Sequence, residues 1–318
     1  MNYDVFNGDA DGICALHQLR LQEPREAQLV SGVKRDVKLL TKVGDVAAGD
    51  RITVLDISMD SNKEDLLRLL QCAEVFYADH HFAGEIPSSS RLEAHIDPSP
   101  DCCTSLIVDR LLGGRYRPWA IAAAFGDNLH VAARKAATDL GLSEDRLAAL
   151  RELGELLNYN GYGRTVADLH FSPDALYREV QPFADPFAFA EQSSALPALR
   201  EGFHNDMARA RACHAEIIEG VGRIFHFPGE PWARRAAGMF SNERAREKPD
   251  LAHALMVDNL DGTYLVSVRA PLNRKHGADA LCRSFPTGGG REAAAGINAL
   301  PAVMLQKFTE AFRRAFTV

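Results

Sequence analysis

Residues 6–13 read Phe6-Asn7-Gly8-Asp9-Ala10-Asp11-Gly12-Ile13, and the fold is decided there. Upstream, Tyr3-Asp4-Val5-Phe6 has the composition of a strand; downstream, Gly12 to Leu21 reads as the helix that follows it. Two carboxylates therefore stand just past a strand end, at the turn into a helix. Ligands of parallel α/β sheets gather at the carboxyl ends of the strands. Oxygen anions two residues apart can converge on a hard divalent cation such as magnesium or manganese. Taken alone, Asp-x-Asp-Gly suits a plain turn or a calcium loop equally well.

The same placement recurs along the next seventy residues. Ile52-Thr53-Val54-Leu55 is a clear strand followed at once by Asp56, and Glu74-Val75-Phe76-Tyr77-Ala78 is a strand followed by Asp79-His80-His81. Residues 64–70 read as a helix between them. Strands alternating with helices imply a parallel sheet with helices on its faces. Three successive strand ends then deliver carboxylate or imidazole to one edge. Carboxylates so close repel one another, and a cation is the natural compensation.

Working outward, residues 104–157 read as nearly all helix, broken at Gly113-Gly114, Pro118 and Gly141. After Gly161 the chain turns aromatic and proline-rich, the signature of an irregular connector through Phe187. Residues 196–220 read as a long polar helix. A second α/β pattern follows: a strand over 223–227, a helix over 232–248, a hairpin of 252–257 with 263–268 about Asp261-Gly262, and an amphipathic helix over 301–316. The expected architecture is α/β: an N-terminal parallel-sheet domain (residues 1–190) with helices on both faces, a helical linker (191–220), and a smaller α/β domain (221–318).

The chain has 318 residues, 46% of them hydrophobic and 25% charged, values that suit a globular protein of two cores. No run of about eighteen apolar residues marks a membrane span. The N-terminus lacks the basic and apolar regions of a secretory leader, so a cytoplasmic location is expected. Six cysteines are spaced for neither a disulfide framework nor a zinc site. A net charge of −7 favours a small anionic substrate over a long nucleic-acid track. Arg20, Arg25, Lys34 and Arg35 are too dispersed to form a nucleic-acid-binding stripe.

These motifs resemble the DHH phosphoesterases, a family named for the triplet seen at 79–81. Asp9-Ala10-Asp11-Gly12 matches its first motif and Asp56 its second; Asp127, in Ala-Phe-Gly-Asp127-Asn, matches its fourth. Pro286-Thr287-Gly288-Gly289-Gly290-Arg291-Glu292-Ala293-Ala294-Ala295-Gly296 resembles the glycine-rich signature of the DHH-associated C-terminal domain. The resemblance spans nearly the whole chain. It implies two metal ions, manganese with magnesium as an alternative. Asp56 would bridge them, Asp9 would bind one with Asn7 as a weaker partner, and Asp11, His80 and Asp127 would bind the other. It further implies that His81 contacts the phosphate or assists the leaving group, and that Asp79 orients the metal-binding histidine. Arg269, Gly288, Gly289, Gly290 and Arg291 would grip substrate. Two positions depart from the family pattern: Asn7 stands where many relatives carry histidine, and Arg291 stands where histidine is usual. His95, Asp97 and His130 are minor candidates, the last expected on the same helical face as Asp127.

The activity implied is metal-dependent hydrolysis of phosphodiester or phosphomonoester bonds in short nucleotides: nano-RNA, linear dinucleotides or 3′-phosphoadenosine phosphate. Alternatives are a RecJ-like single-strand 5′-exonuclease, an exopolyphosphatase or pyrophosphatase, and a non-catalytic nucleotide sensor. The expected partner is a short nucleotide or other small phosphoester, not a membrane; a homodimer is a candidate assembly.

Overall fold

A computed structural model describes residues 1–317. The chain divides into two compact units, Met1–Glu201 and Gly202–Val318.

The first unit is built on five strands, β1 (Asn2–Asn7), β2 (Gln28–Gly32), β3 (Arg51–Leu55), β4 (Glu74–Asp79) and β5 (Leu92–Ile96), all parallel and ordered β2-β1-β3-β4-β5. Its helices are α1 (Ala10–Gln22), α2 (Lys63–Leu69), α3 (Thr104–Leu111), α4 (Arg117–Gly126), α5 (His130–Ala137), α6 (Glu144–Asn160), α7 (Pro173–Val180) and α8 (Pro186–Gln192). Side chains alternate across a strand, so neighbouring residues serve opposite faces. Tyr3, Val5, Ile52, Val54, Val75 and Tyr77 form one buried cluster with Leu66 and Leu69 of α2. Asp4 and Thr53, one position along, reach the other face, where Arg20 of α1 donates to Asp4 Oδ2 at 2.8 Å, Asp4 Oδ1 at 2.5 Å and Thr53 Oγ1 at 2.8 Å. That forked, buried pair fixes α1, and with it the turn at 8–12, to β1 and β3.

Helices α4 and α6 cross at glycine. A Cβ on Gly154 would stand 1.8 Å from the Ala122 carbonyl oxygen, and one on Gly126 would stand 2.7 Å from the Gly154 oxygen. Only hydrogen at both positions permits this approach. The segment read as an irregular connector contains α7 and α8. Pro118 and Pro173 sit in the first turn of their helices, where the missing N–H costs nothing, so proline starts these helices rather than ending them.

The chain passes into the second unit within α9 (Ala195–Ala212). That helix ends well short of residue 220, because residues 215–218 pair as a strand. The sheet contains β6 (Ala215–Ile218), β7 (Gly222–Phe227), β8 (Ala252–Asp258), β9 (Thr263–Arg269), β10 (Gly288–Arg291) and β11 (Ala294–Pro301), ordered β10-β11-β9-β8-β7-β6. Only β7 and β8 run parallel, joined through α10 (Pro231–Glu247). Trp232 and Phe240 of α10 pack with Phe225, Leu255 and Val257. The other core cluster joins Ile224, Val266, Val268 and Ile297 to α11 (Ala278–Arg283) and to Phe308, Phe312 and Phe316 of α12 (Leu305–Phe316).

Candidate metal centre

The parallel sheet of the first unit ends in a cluster of carboxylates. Asp9 is the N-cap of α1: its Oδ1 accepts from the backbone N–H of Asp11 at 2.9 Å and of Gly12 at 3.1 Å. Glycine is needed at 12, since a Cβ there would lie 2.2 Å from the Asn7 carbonyl oxygen. Asp11 is fully buried and turned toward the start of α3. Its oxygens accept from the backbone N–H groups of Thr104 and Ser105, each at 2.7 Å, which places anionic charge at a helix N-terminus. Asp56 follows β3 with φ of +60°, a left-handed backbone rare outside glycine. Its Oδ1 accepts from Thr104 Oγ1 at 3.1 Å. Asp127 is the C-cap of α4.

The triplet divides its work between two imidazoles. His80 Nδ1 lies 2.9 Å from the Cys102 carbonyl oxygen, which can only accept, so this nitrogen carries a proton. Nε2 then faces Asp56 Oδ1 at 3.5 Å and Asp127 Oδ2 at 3.6 Å. In the neutral ring that atom is a lone pair aimed between two carboxylates, an arrangement that calls for a cation. His81 Nδ1 instead bonds Asp79 Oδ1 at 2.7 Å. The expectation that Asp79 orients the metal-facing imidazole is therefore corrected. A backbone carbonyl holds His80, whose Nδ1 is thereby committed to Cys102, while Asp79 Oδ1 holds His81.

Electrostatics concentrate on Asp56. Burial, then repulsion from Asp11, Asp9, Asp127 and Asp79, holds its carboxyl far above the usual range. Asp11 is raised by burial and by Asp127, with His80 opposing. Burial would also raise Asp9, but the Lys34 ammonium beside it wins and its pKa falls. Burial pulls His81 down, yet the bond to Asp79 and the charges of Asp79, Asp127 and Asp11 outweigh it, and the ring holds its proton above the ordinary range.

Among the described residues, two overlapping groups have the donors to hold a metal ion: Asp56, His80 and His81, and Asp11, His80 and Asp127, each with ligand atoms within 4.8 Å of one another. Buried oxygens without a protein partner add to them, namely Asp79 Oδ2 and Asn7 Oδ1. The donor set, hard oxygens with imidazole nitrogen, suits manganese or magnesium. Asn7 Nδ2 donates to the Lys34 carbonyl at 3.2 Å.

Sequence reasoning missed Lys34, Thr104, Asn158 and the Cys102 carbonyl. Lys34 lies two residues past β2; had residues 28–32 been read as a strand, it would have stood out as a fourth strand-end group. The minor candidates belong to neither group. His95 Nε2 pairs with Glu93 at 2.8 Å and Asp97 with Arg110 at 2.6 Å. His130 does not share a helical face with Asp127. The helix breaks at Asn128, φ +62°, and restarts at His130.

In the second unit, Gly288, Gly289, Gly290 and Arg291 form β10, an edge strand of the sheet rather than an open loop. Gly290 has φ of +137°, and a Cβ there would meet Ala295 Cα at 2.5 Å. Arg291 and Arg269 both stand in register with Ala294 of the strand between them, at one end of the sheet. Arg269 donates to Asn242 Oδ1 at 2.9 Å.

No family model matches the chain, and no curated protein matches it. Solved structures do. A DHH-domain protein described as a member of the s1p family of ribosomal proteins superposes with a TM-score of 0.67 at 12% identity, covering 98% of this chain and 85% of that one. Exonuclease RecJ bound to manganese gives 0.59 at 16% identity, over 98% and 89% of the two chains. The pGpG-specific phosphodiesterase PggH from Vibrio cholerae gives 0.54 at 12% identity, over 99% and 98%. The chain therefore has the fold of DHH-domain proteins along nearly its whole length.

Proposed function

We propose that this protein is a divalent-metal-dependent phosphoesterase acting on short nucleotide substrates. The observation that carries the reading is the setting of His80, whose proton is held at Nδ1 by a main-chain carbonyl while Nε2 faces Asp56 and Asp127. The neighbours support it: one is an exonuclease bound to manganese, and another a phosphodiesterase specific for pGpG. The acidic composition adds its weight toward a short anionic substrate.

Asp11, Asp56, His80 and Asp127 are the residues that would hold the ion, manganese being our first choice. When bound, it supplies water activation and neutralises charge on the phosphoryl group. The chain's own residues do the rest. Asp79 fixes Nδ1 of His81, so the other nitrogen, Nε2, is free to carry a proton toward the leaving oxygen or to bond a phosphoryl oxygen. The hydrogen bond to Asp79 Oδ1 and the charge of that carboxylate both favour the protonated ring. Asp11 and Asp56 are buried, which strengthens their charge interactions with a bound ion. The second unit is read as the substrate-binding part, with Arg269 and Arg291 as its anionic-group ligands and the Gly288–Gly290 strand as main-chain support. A cytoplasmic setting suits both substrate and thiol content.

The test offers purified protein, with manganese or magnesium, labelled linear dinucleotides, 3′-phosphoadenosine phosphate, long single-stranded DNA and polyphosphate. Hydrolysis of dinucleotides ahead of long DNA is expected. No hydrolysis of any of them under either metal would sink the enzyme reading in favour of a nucleotide sensor, and preference for long DNA would sink the short-substrate reading.

A further inference from the structure

The cation that the carboxylates call for is partly encoded in the chain. Lys34 Nζ is ion-paired with Asp9 Oδ2 and with Asp127 Oδ1, the latter at 2.9 Å, and donates to Asn158 Oδ1 at 2.8 Å. Three oxygens, from the N-cap of α1, the end of α4 and the last turn of α6, converge on one positive point. Hard oxygens from separate elements meeting at one centre is how a protein holds a divalent cation; here the centre is an ammonium.

Its delivery is built rather than incidental. The Lys34 main chain is tied at both polar atoms: N donates to the Gly161 carbonyl at 2.8 Å, and O accepts from Asn7 Nδ2 at 3.2 Å. The ammonium also lies 5.7 Å from the centroid of the Tyr162 ring. Asn7 is the position at which the family pattern has histidine. In this chain it fastens the backbone that brings in the ammonium, so the departure at 7 and the presence of Lys34 form one device.

The carboxylates are apportioned accordingly. Asp9 spends Oδ1 on the N–H groups of α1 and Oδ2 on Lys34, and belongs to neither group able to hold a metal ion. Asp127 is shared, with Oδ1 toward Lys34 and Oδ2 toward His80 Nε2. We propose that the Lys34 ammonium replaces one of the two cations that the motifs imply, so that the protein binds a single divalent ion on the Asp11–Asp56–His80–Asp127 side. This rests on the reading above that the centre binds a divalent ion. Asp9 then serves as the partner of Lys34 instead of a metal ligand. An ammonium supplies fixed positive charge and hydrogen bonds but no exchangeable coordination position, so it substitutes for a metal's charge and not for its water.

The test is manganese stoichiometry, by calorimetric titration and by metal analysis after desalting, on the wild-type chain and on Lys34→Met and Lys34→Gln. A single ion is expected on wild type, with a second on the substituted chains and a spin-coupled pair in their electron paramagnetic resonance spectra. Two ions on wild type would overturn the inference, as would a single ion on folded Lys34→Met and Lys34→Gln alike. No ion on any of the chains would overturn the metal-dependent reading itself. Should neither substituted chain fold, the wild-type stoichiometry still decides.

Discussion

Asp56 combines two unfavourable features, a left-handed backbone and a charge buried among other carboxylates. Strain of this kind persists only where the surroundings impose it. Asparagine adopts that backbone readily and keeps the oxygen that accepts from Thr104 Oγ1. Asp56→Asn should therefore stabilise the metal-free protein, by about 1 kcal/mol in denaturant melts, while reducing metal-dependent hydrolysis to background. A destabilised metal-free variant would show that the charge at 56 is already compensated. His81 permits a second separation. With Nδ1 committed to Asp79, His81→Ala should lower kcat by about a hundredfold or more, with manganese affinity within about threefold of wild type; a large loss of affinity would make His81 a ligand instead. The aspartates at 9, 11 and 56 and the triplet were legible in the sequence because each follows a strand whose apolar run is unmistakable. Lys34 was not, because nothing in Gly32-Val33-Lys34 distinguishes a strand-end cation from a surface one until the strand before it is known.

That strand exposes the limit at the scale of elements. β1, β3 and β4 lie in the interior of the parallel sheet, buried on both faces, and read as apolar runs. β2 and β5 are its two edges, Gln-Leu-Val-Ser-Gly and Leu-Glu-Ala-His-Ile, and their half-exposed residues carry no comparable signal. Both escaped the reading. The helical crossing of α4 and α6 is equally invisible in sequence, since Gly126 and Gly154 are far apart in the chain and meet only through tertiary packing. Asp127 follows Gly126 at the end of α4, and Asn158 lies one turn beyond Gly154 in α6. The crossing thus sets where both residues stand. Gly154→Ala forces the helices apart and should cost about 3 kcal/mol. It should also weaken manganese binding measurably in the fraction that remains folded. An unchanged melting curve would mean that α6 can slide without disturbing α4.

At the scale of the molecule, each unit contains a buried histidine that resists its proton. Burial lowers His17 to about 4 against an ordinary 6.5, with Nε2 at 2.7 Å from the Phe183 carbonyl oxygen opposing the shift, and burial lowers His253 of β8 likewise to about 4. In both cases the unfolded chain binds the proton more readily than the folded one. Stability is therefore full above the unfolded value and falls as pH drops from about 6.5 toward 4, by roughly 2–3 kcal/mol for a group shifted this far. Comparison with His17→Gln isolates that contribution from the carboxylates, whose repulsion relaxes on acidification and acts in the opposite sense. The variant's stability should vary less with pH than the wild type's between pH 6.5 and 4. Parallel curves would show that His17 is not the titrating group.

The centre's groups, from Asn7 to Asn158, all lie within Met1–Glu201, and the chain leaves the ribosome in that order. Domains fold largely as they emerge. By the time Arg269 and the glycine strand at 288–290 are translated, the carboxylate cluster and the ammonium that tempers it can already stand in place. A nascent chain stalled beyond residue 201 should therefore resist protease across its first unit before the second has been made.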